Sequence, residues 1–308
     1  VENMGMEIKK KTTLKKEFAD CKLNDKLIKF RKFESIPYLT HDPTPSDVLN
    51  IWQRIALLDH VKTRKVNLQE TNTWYWFNTI LCNDEPHKIE WLTQYHHEKL
   101  VNGHRKIEKL LLLFSNETSS GKSSHQFFFS AIWGAHTTLK MDNVSCLLKE
   151  KNAELLNRLM VYFDDSERLK KADCDKIRTK CTEKHYHYRR MYENAVKMKA
   201  MHDYVLTTNK RNCFFVNKEN RRLEIIDVNP VMAVSKDAKQ FWDTFYKELD
   251  DPDIMKTWLE HFRDFQSKMD VRNKFCRFSQ KDIDLEKTES LKIAHRFLTE
   301  LFSSKTFY

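Results

Sequence analysis

The chain has 308 residues, of which 40% are hydrophobic, 12% aromatic and 32% charged, with a formal net charge of +10. This is enough apolar material for one large or two modest globular domains with a real core, and it excludes a low-complexity chain. No run approaches the roughly 18 apolar residues of a membrane-spanning helix, and the N-terminal stretch lacks the apolar centre of a secretory signal, so an intracellular protein without membrane contact is expected.

Seven cysteines, an odd number at scattered positions, do not form a disulfide framework and are expected to be reduced. Cys174, Cys181, His185 and His187 could be read as a zinc site, but their spacing matches no common zinc motif, and structural roles are expected for them. The positive charge is local. Between Arg168 and Arg222 there are sixteen Lys or Arg and six Asp or Glu, so this segment carries the whole formal excess and points to an anionic partner.

In chain order, the first twenty residues read as a frayed basic arm. "SDVLNIWQRIALLDHV" and "HKIEWLTQYHHEKLV" have helical spacing and predict a helical N-terminal module over residues 1–98, with Ser46 or Asp47 as an N-cap. Trp52, Trp74, Trp76 and Trp91 are expected in its packing rather than in binding. Four short apolar runs follow: "KLLLLF" (109–114), "RLMVYF" (158–163), "DYVLTT" (203–208) and "RLEIIDV" (222–228). With helical material between them they predict the buried strands of a three-layer α/β core over residues 99–235. Residues 236–308 return to amphipathic helix, in "AKQFWDTFYKEL", "IMKTWLEHFRDFQSKM" and "SLKIAHRFLTELF".

The first of these strands leads into "FSNETSSGKSS" (114–124), which uses one of only four glycines directly before Lys-Ser and runs into the helix-compatible "SSHQFFFSAIWGA". Strand, loop and helix in this order are the context of a phosphate-binding loop, or P-loop, in which backbone N–H groups wrap the phosphates at a helix N-terminus. Gly121 permits the close approach. Lys122 supplies charge to the β and γ phosphates of ATP, Ser123 a hydroxyl to Mg²⁺, and Thr118, Ser119 and Ser120 backbone donors. Asn116 stands where the usual pattern has glycine, and asparagine enters the left-handed backbone region more readily than most residues. The plainer alternative is a polar loop with a chance Gly-Lys-Ser.

"RLMVYFDD" delivers Asp164 and Asp165 at the end of a strand, the first assigned to the metal and the second to the attacking water. The second position is more often Glu, which leaves open which of the two is the base. The alternative is a turn and N-cap for "SERLKK". "DYVLTTN" ends in Asn209, placed to sense the γ phosphate and position the same water. Arg221 and Arg222, before "LEIIDV", are candidates for an arginine that reaches a neighbouring subunit's ATP, a role worth about 10³ to 10⁵ in rate where it has been measured.

In order and spacing, "NETSSGKS", "LMVYFDD", "KIRTKCTEKHYHYRRMYENAVKMKAMHDYVLTTN" and "NRRLEIIDVNP" resemble the superfamily 3 helicases, AAA+-like ATPases of viruses and mobile elements, and in particular their poxvirus-type primase-helicase branch. The resemblance covers roughly residues 70 to 230. It implies a homo-hexameric ring that hydrolyses ATP and draws single-stranded DNA or RNA through a central channel, with the basic segment supplying the channel loops. It also implies primase or other replication partners, the chain being a fragment of, or a counterpart to, a larger primase-helicase. "KHYHYRRMY" interleaves cations with rings, as a single-strand track requires, and Lys184, Arg189, Arg190 and Tyr192 are its candidates. The alternative is a solvated basic helix face. Two other readings of the whole chain stay open: an ATPase for DNA packaging or protein remodelling, and a non-catalytic basic nucleic-acid-binding protein.

Overall fold

The run Leu110–Phe114 is buried along its whole length and is the strand (β1) around which the sheet is built. A computed structural model describes residues 52–142, 147, 153–164, 169, 171–189, 196–210, 213–214 and 222–272, with the backbone of four three-residue strands before them. Thr138–Met141 (β2), Met160–Phe163 (β3), Asp203–Thr208 (β6) and Leu223–Asp227 (β7) join β1 in one sheet of order β7-β1-β6-β3-β2, every pairing parallel. Between β3 and β6, His185–Tyr188 (β4) and Val196–Lys199 (β5) form a separate antiparallel hairpin.

Because side chains alternate along a strand, each central strand serves two cores. Leu111 and Leu113 of β1, Met160 and Tyr162 of β3 and Val205 of β6 enter one cluster. Leu110, Leu112, Val161, Phe163, Tyr204 and Leu206 enter the other. Parallel strands buried on both faces read as continuous apolar runs, which is why four of the five are visible in the sequence. The fifth, β2, is not: only two of its four residues are apolar, and it closes an edge of the sheet.

On the first face lie Asn72–Tyr75 (α1), which runs on as a π-helix over Trp76–Leu81, then Pro86–Val101 (α2), Ser124–Trp133 (α3), Ala238–Leu249 (α5) and Pro252–Asp264 (α6). A single aromatic core joins them: Trp76, Phe77, Trp91, Phe128, Trp133, Phe245, Trp258 and Phe262 are all fully buried within it. The N-terminal and C-terminal helices therefore pack together over α3. Lys171–Thr182 (α4) and the hairpin cover the other face. Of the four tryptophans expected in packing, Trp52, Trp76 and Trp91 are buried and Trp74 is partly so.

Two expectations are corrected. Residues 46–61 are not one helix: Val48–Asn50 is a strand paired with Lys32–Glu34, and Ala56–Leu58 is a single 3-10 turn; Ser46 and Asp47 lie outside the described residues, as does "SLKIAHRFLTELF". The basic segment is not helical throughout. It is helical to Thr182 and then turns into the hairpin, because alternation of exposed His185 and His187 with buried Tyr186 and Tyr188 is a strand period. No described helix is long and apolar enough to cross a membrane.

Candidate nucleotide site

Since all five strands run the same way, the residues that follow β1, β3 and β6 emerge on one edge of the sheet, where open α/β sheets hold their ligands. Lys122, in the loop after β1, is buried, and its ammonium donates to Asn209 Oδ1 just beyond β6 at 2.7 Å, to the Glu117 carbonyl at 2.9 Å and to Ser120 Oγ at 3.0 Å. Ser123 Oγ donates to Asp164 Oδ1, just beyond β3, at 3.0 Å. The structure thus brings Lys122, Ser123, Asp164 and Asn209 together.

Loop conformation suits an anion. Gly121 has φ +88 and Ser119 φ +56, so two of the three residues before Lys122 lie in the left-handed region. Asn116 does not, which corrects the expectation that it would supply that turn; Ser119 supplies it instead. Among the described residues, the N–H groups of Thr118, Ser119, Ser120, Gly121 and Ser123 donate to no protein acceptor. Ser123 is the N-cap of α3 without a capping bond from its side chain. Unspent donors at a helix start form a concavity for negative charge.

The loop is braced from the helical layer. Trp76, fully buried on the π-helical turn, donates its indole N–H to the Gly121 carbonyl at 3.2 Å. Trp242 of α5 lies so close that a Cβ built on Gly121 would stand 2.4 Å from its Cη2. Gly121→Ala therefore meets both a ring and an unfavourable φ. A loss of about 2 kcal/mol of stability is expected in denaturant unfolding.

Asp164 holds the densest polar contacts of the site. Besides Ser123 it accepts from Thr207 Oγ1 at 2.5 Å and pairs through Oδ2 with Lys140 of β2 at 2.7 Å. Burial pushes its carboxyl up, but hydrogen bonds from Lys140, Thr207 and Ser123 outweigh this and bring it down to about 2. It is an anion at any physiological pH. Ser123 Oγ and Asp164 Oδ1 are hard oxygen donors side by side, a set that fits Mg²⁺ completed by phosphate oxygens and water. Among the described residues no group of three His, Cys, Asp or Glu could hold a metal by itself. Sequence reasoning missed Lys140, on the unrecognised strand β2, and Thr207, Trp76 and Trp242; only Thr207 had a local signal, one residue before the "TN" that marks Asn209.

Asp165, Arg190, Tyr192 and Arg221 lie outside the described residues. Arg222 is not brought to the site. It precedes β7, at the amino edge of the sheet, where its carbonyl accepts from Leu110 N–H and its guanidinium donates to the Arg178 carbonyl at 3.0 Å. The zinc reading does not assemble either: Cys174 and Cys181 are buried on the inner face of α4, while His185 and His187 are exposed on the hairpin.

The hairpin presents one cationic face. His185 pairs with Lys199 and His187 with Lys197, all four exposed, with exposed Lys184 and Arg189 at the two ends of β4. Tyr186 and Tyr188 point the other way, 6% and 8% exposed, which corrects the expectation that rings alternate with cations on the same surface.

The profile of a family of unknown function, DUF5906, matches residues 113–222. No curated protein matches the chain in sequence. The solved structures that share the fold include three apo forms of the NrS-1 C-terminal region. One is 11% identical over 77% of this chain at a TM-score of 0.59. The second is 13% identical over 79% at 0.61, and the third 12% identical over 90% at 0.64. The chain spans 54%, 57% and 66% of those structures' own lengths, and at such identities the likeness is one of fold.

Proposed function

We propose that the protein is a P-loop ATPase of the superfamily 3 helicase type, a replication motor that moves along single-stranded nucleic acid as a ring of subunits. One observation carries the reading: a buried lysine after β1, a serine-bound aspartate after β3 and an asparagine after β6 converge at one sheet edge. The fold shared with the NrS-1 C-terminal region supports the framework on which it rests.

In this reading the loop N–H groups and Lys122 bind and neutralise the triphosphate, and Asn209, held by Lys122, orients the attacking water. Ser123 and Asp164 would hold Mg²⁺, which supplies charge stabilisation to the transferring phosphoryl group. Lys140 sits on the outer oxygen of the same aspartate and competes with the ion for it. Lys140→Met is expected to lower the Mg²⁺ concentration that half-saturates hydrolysis severalfold, read from a metal titration of turnover. Asp165 as a base, and Arg221 or Arg222 acting across a subunit interface, complete the assignment.

The hairpin joins β6 at its amino end, while Asn209 follows β6 at its carboxyl end, so a single buried strand links the cationic face to the phosphate site. Neutralising two cations of that face, Arg189→Ala with Lys197→Ala, is expected to weaken single-strand binding. It should also reduce the slope of log affinity against log salt by about 1.4, at about 0.7 per phosphate contact.

The deciding experiment is ATP hydrolysis with and without single-stranded DNA, followed by a forked duplex. Stimulation together with strand opening supports the motor. Hydrolysis indifferent to nucleic acid favours protein remodelling, and nucleotide-independent DNA binding alone favours a non-catalytic basic protein.

A further inference from the structure

Resting on the nucleotide reading of the loop, the geometry points to Trp242, Tyr246 and Phe127 as the face that receives the base of the nucleotide, and so makes α5 part of the binding site. Two layers meet at the loop. The sheet brings Asp164, Lys140 and Asn209, the polar end suited to the terminal phosphate and its metal. The helical layer brings α5: Trp242 lies on Gly121, and Tyr246 OH stands 3.4 Å from Ser124 Oγ in the first turn of α3. A triphosphate laid along the loop with its γ end at Asn209 leaves its nucleoside on the α5 side.

What lies there is aromatic and open to solvent. Phe127, one turn into α3, is 51% exposed and Tyr246 is 41% exposed. Their rings meet edge to face at 5.8 Å, and Tyr246 lies 6.3 Å from Trp242 at a 37° tilt. Exposed rings of this size beside a polar loop need a reason. The faces of such rings attract any base. The neighbouring aromatics of the same helices, Phe128, Phe241 and Phe245, are by contrast buried in the core.

The test compares ATP with inorganic tripolyphosphate, which has the charge but no base. The wild-type chain is expected to bind ATP at least tenfold more tightly than tripolyphosphate. Phe127→Ala and Tyr246→Ala, both at exposed positions, are expected to lose about tenfold for ATP and to leave tripolyphosphate affinity unchanged. Equal wild-type affinity for the two ligands overturns the base face and leaves the phosphate loop standing. Equal losses for both ligands in the variants show that the rings only brace the loop, and also overturn it. A change of oligomeric state in the variants with an unaltered ATP preference assigns the patch to a subunit contact instead. Binding of neither ligand removes the nucleotide reading and this inference together.

Discussion

Lys122→Ala is expected to reduce ATP hydrolysis by at least about 100-fold, the scale on which removal of one pre-set charge or donor at a reacting group acts. The side chain is only 8% exposed, yet three acceptors satisfy its ammonium, so it is held in place before any ligand arrives. The truncation should leave the fold standing. Glu117 is exposed and Asn209 half-buried, so water can replace the lost donor at both. A melting temperature within a few degrees of the wild type, with turnover gone, is the expected pair of results. Undiminished turnover would refute the nucleotide site.

Lowering the pH from 7 to 5 is expected to lower folding stability measurably, against the small margin that a domain of this kind has. His96, His125 and His202 are buried, and burial holds each imidazole below its ordinary range, His125 down to about 3. His202 is lowered further by Lys106, Lys99 and Lys180, and His96 has no hydrogen-bond partner at either ring nitrogen. The folded chain keeps these rings neutral while the unfolded chain protonates them near pH 6.5. Their contribution is therefore present above that value and lost as pH falls below it. Glu224 acts in the opposite sense: burial raises its carboxyl to about 7 in spite of Lys109, so it takes up a proton in the fold and offsets part of that loss over the same range. Urea unfolding at the two pH values measures the net. His96→Phe, at a ring stacked 4.6 Å from Phe262, should remove about one proton from the pH dependence; an unchanged dependence would show that His96 titrates normally.

The loop from Thr118 to Ser123 and the strand ends at Asp164 and Asn209 were legible as positions because they are local: a buried parallel strand is a continuous apolar run, and the polar run between it and the next helical stretch is a loop. Helices α2, α5 and α6 were legible for the same reason, their apolar stripes repeating at 3.6 residues. The hairpin could also have been read, since aromatic and polar residues alternate from His185 to Tyr188, but the segment was read for its cations and rings as channel loops, with a solvated helix face as the alternative. Asn116 was given a left-handed turn by analogy of position, and the chain places that turn at Ser119 instead.

By itself, then, the sequence determined an α/β core, the order of its strands along the chain and the polar residues at their ends, because each is set by neighbours within one segment. Which of those ends share an edge was decided only by tertiary structure, through the spatial order β7-β1-β6-β3-β2. The same holds for Lys140 on Asp164, Trp76 and Trp242 on Gly121, and Arg222 at the far edge. These contacts join residues distant along the chain, and only the packing of α1 and α5 over α3 and of the strands beside one another brings them within a few ångströms.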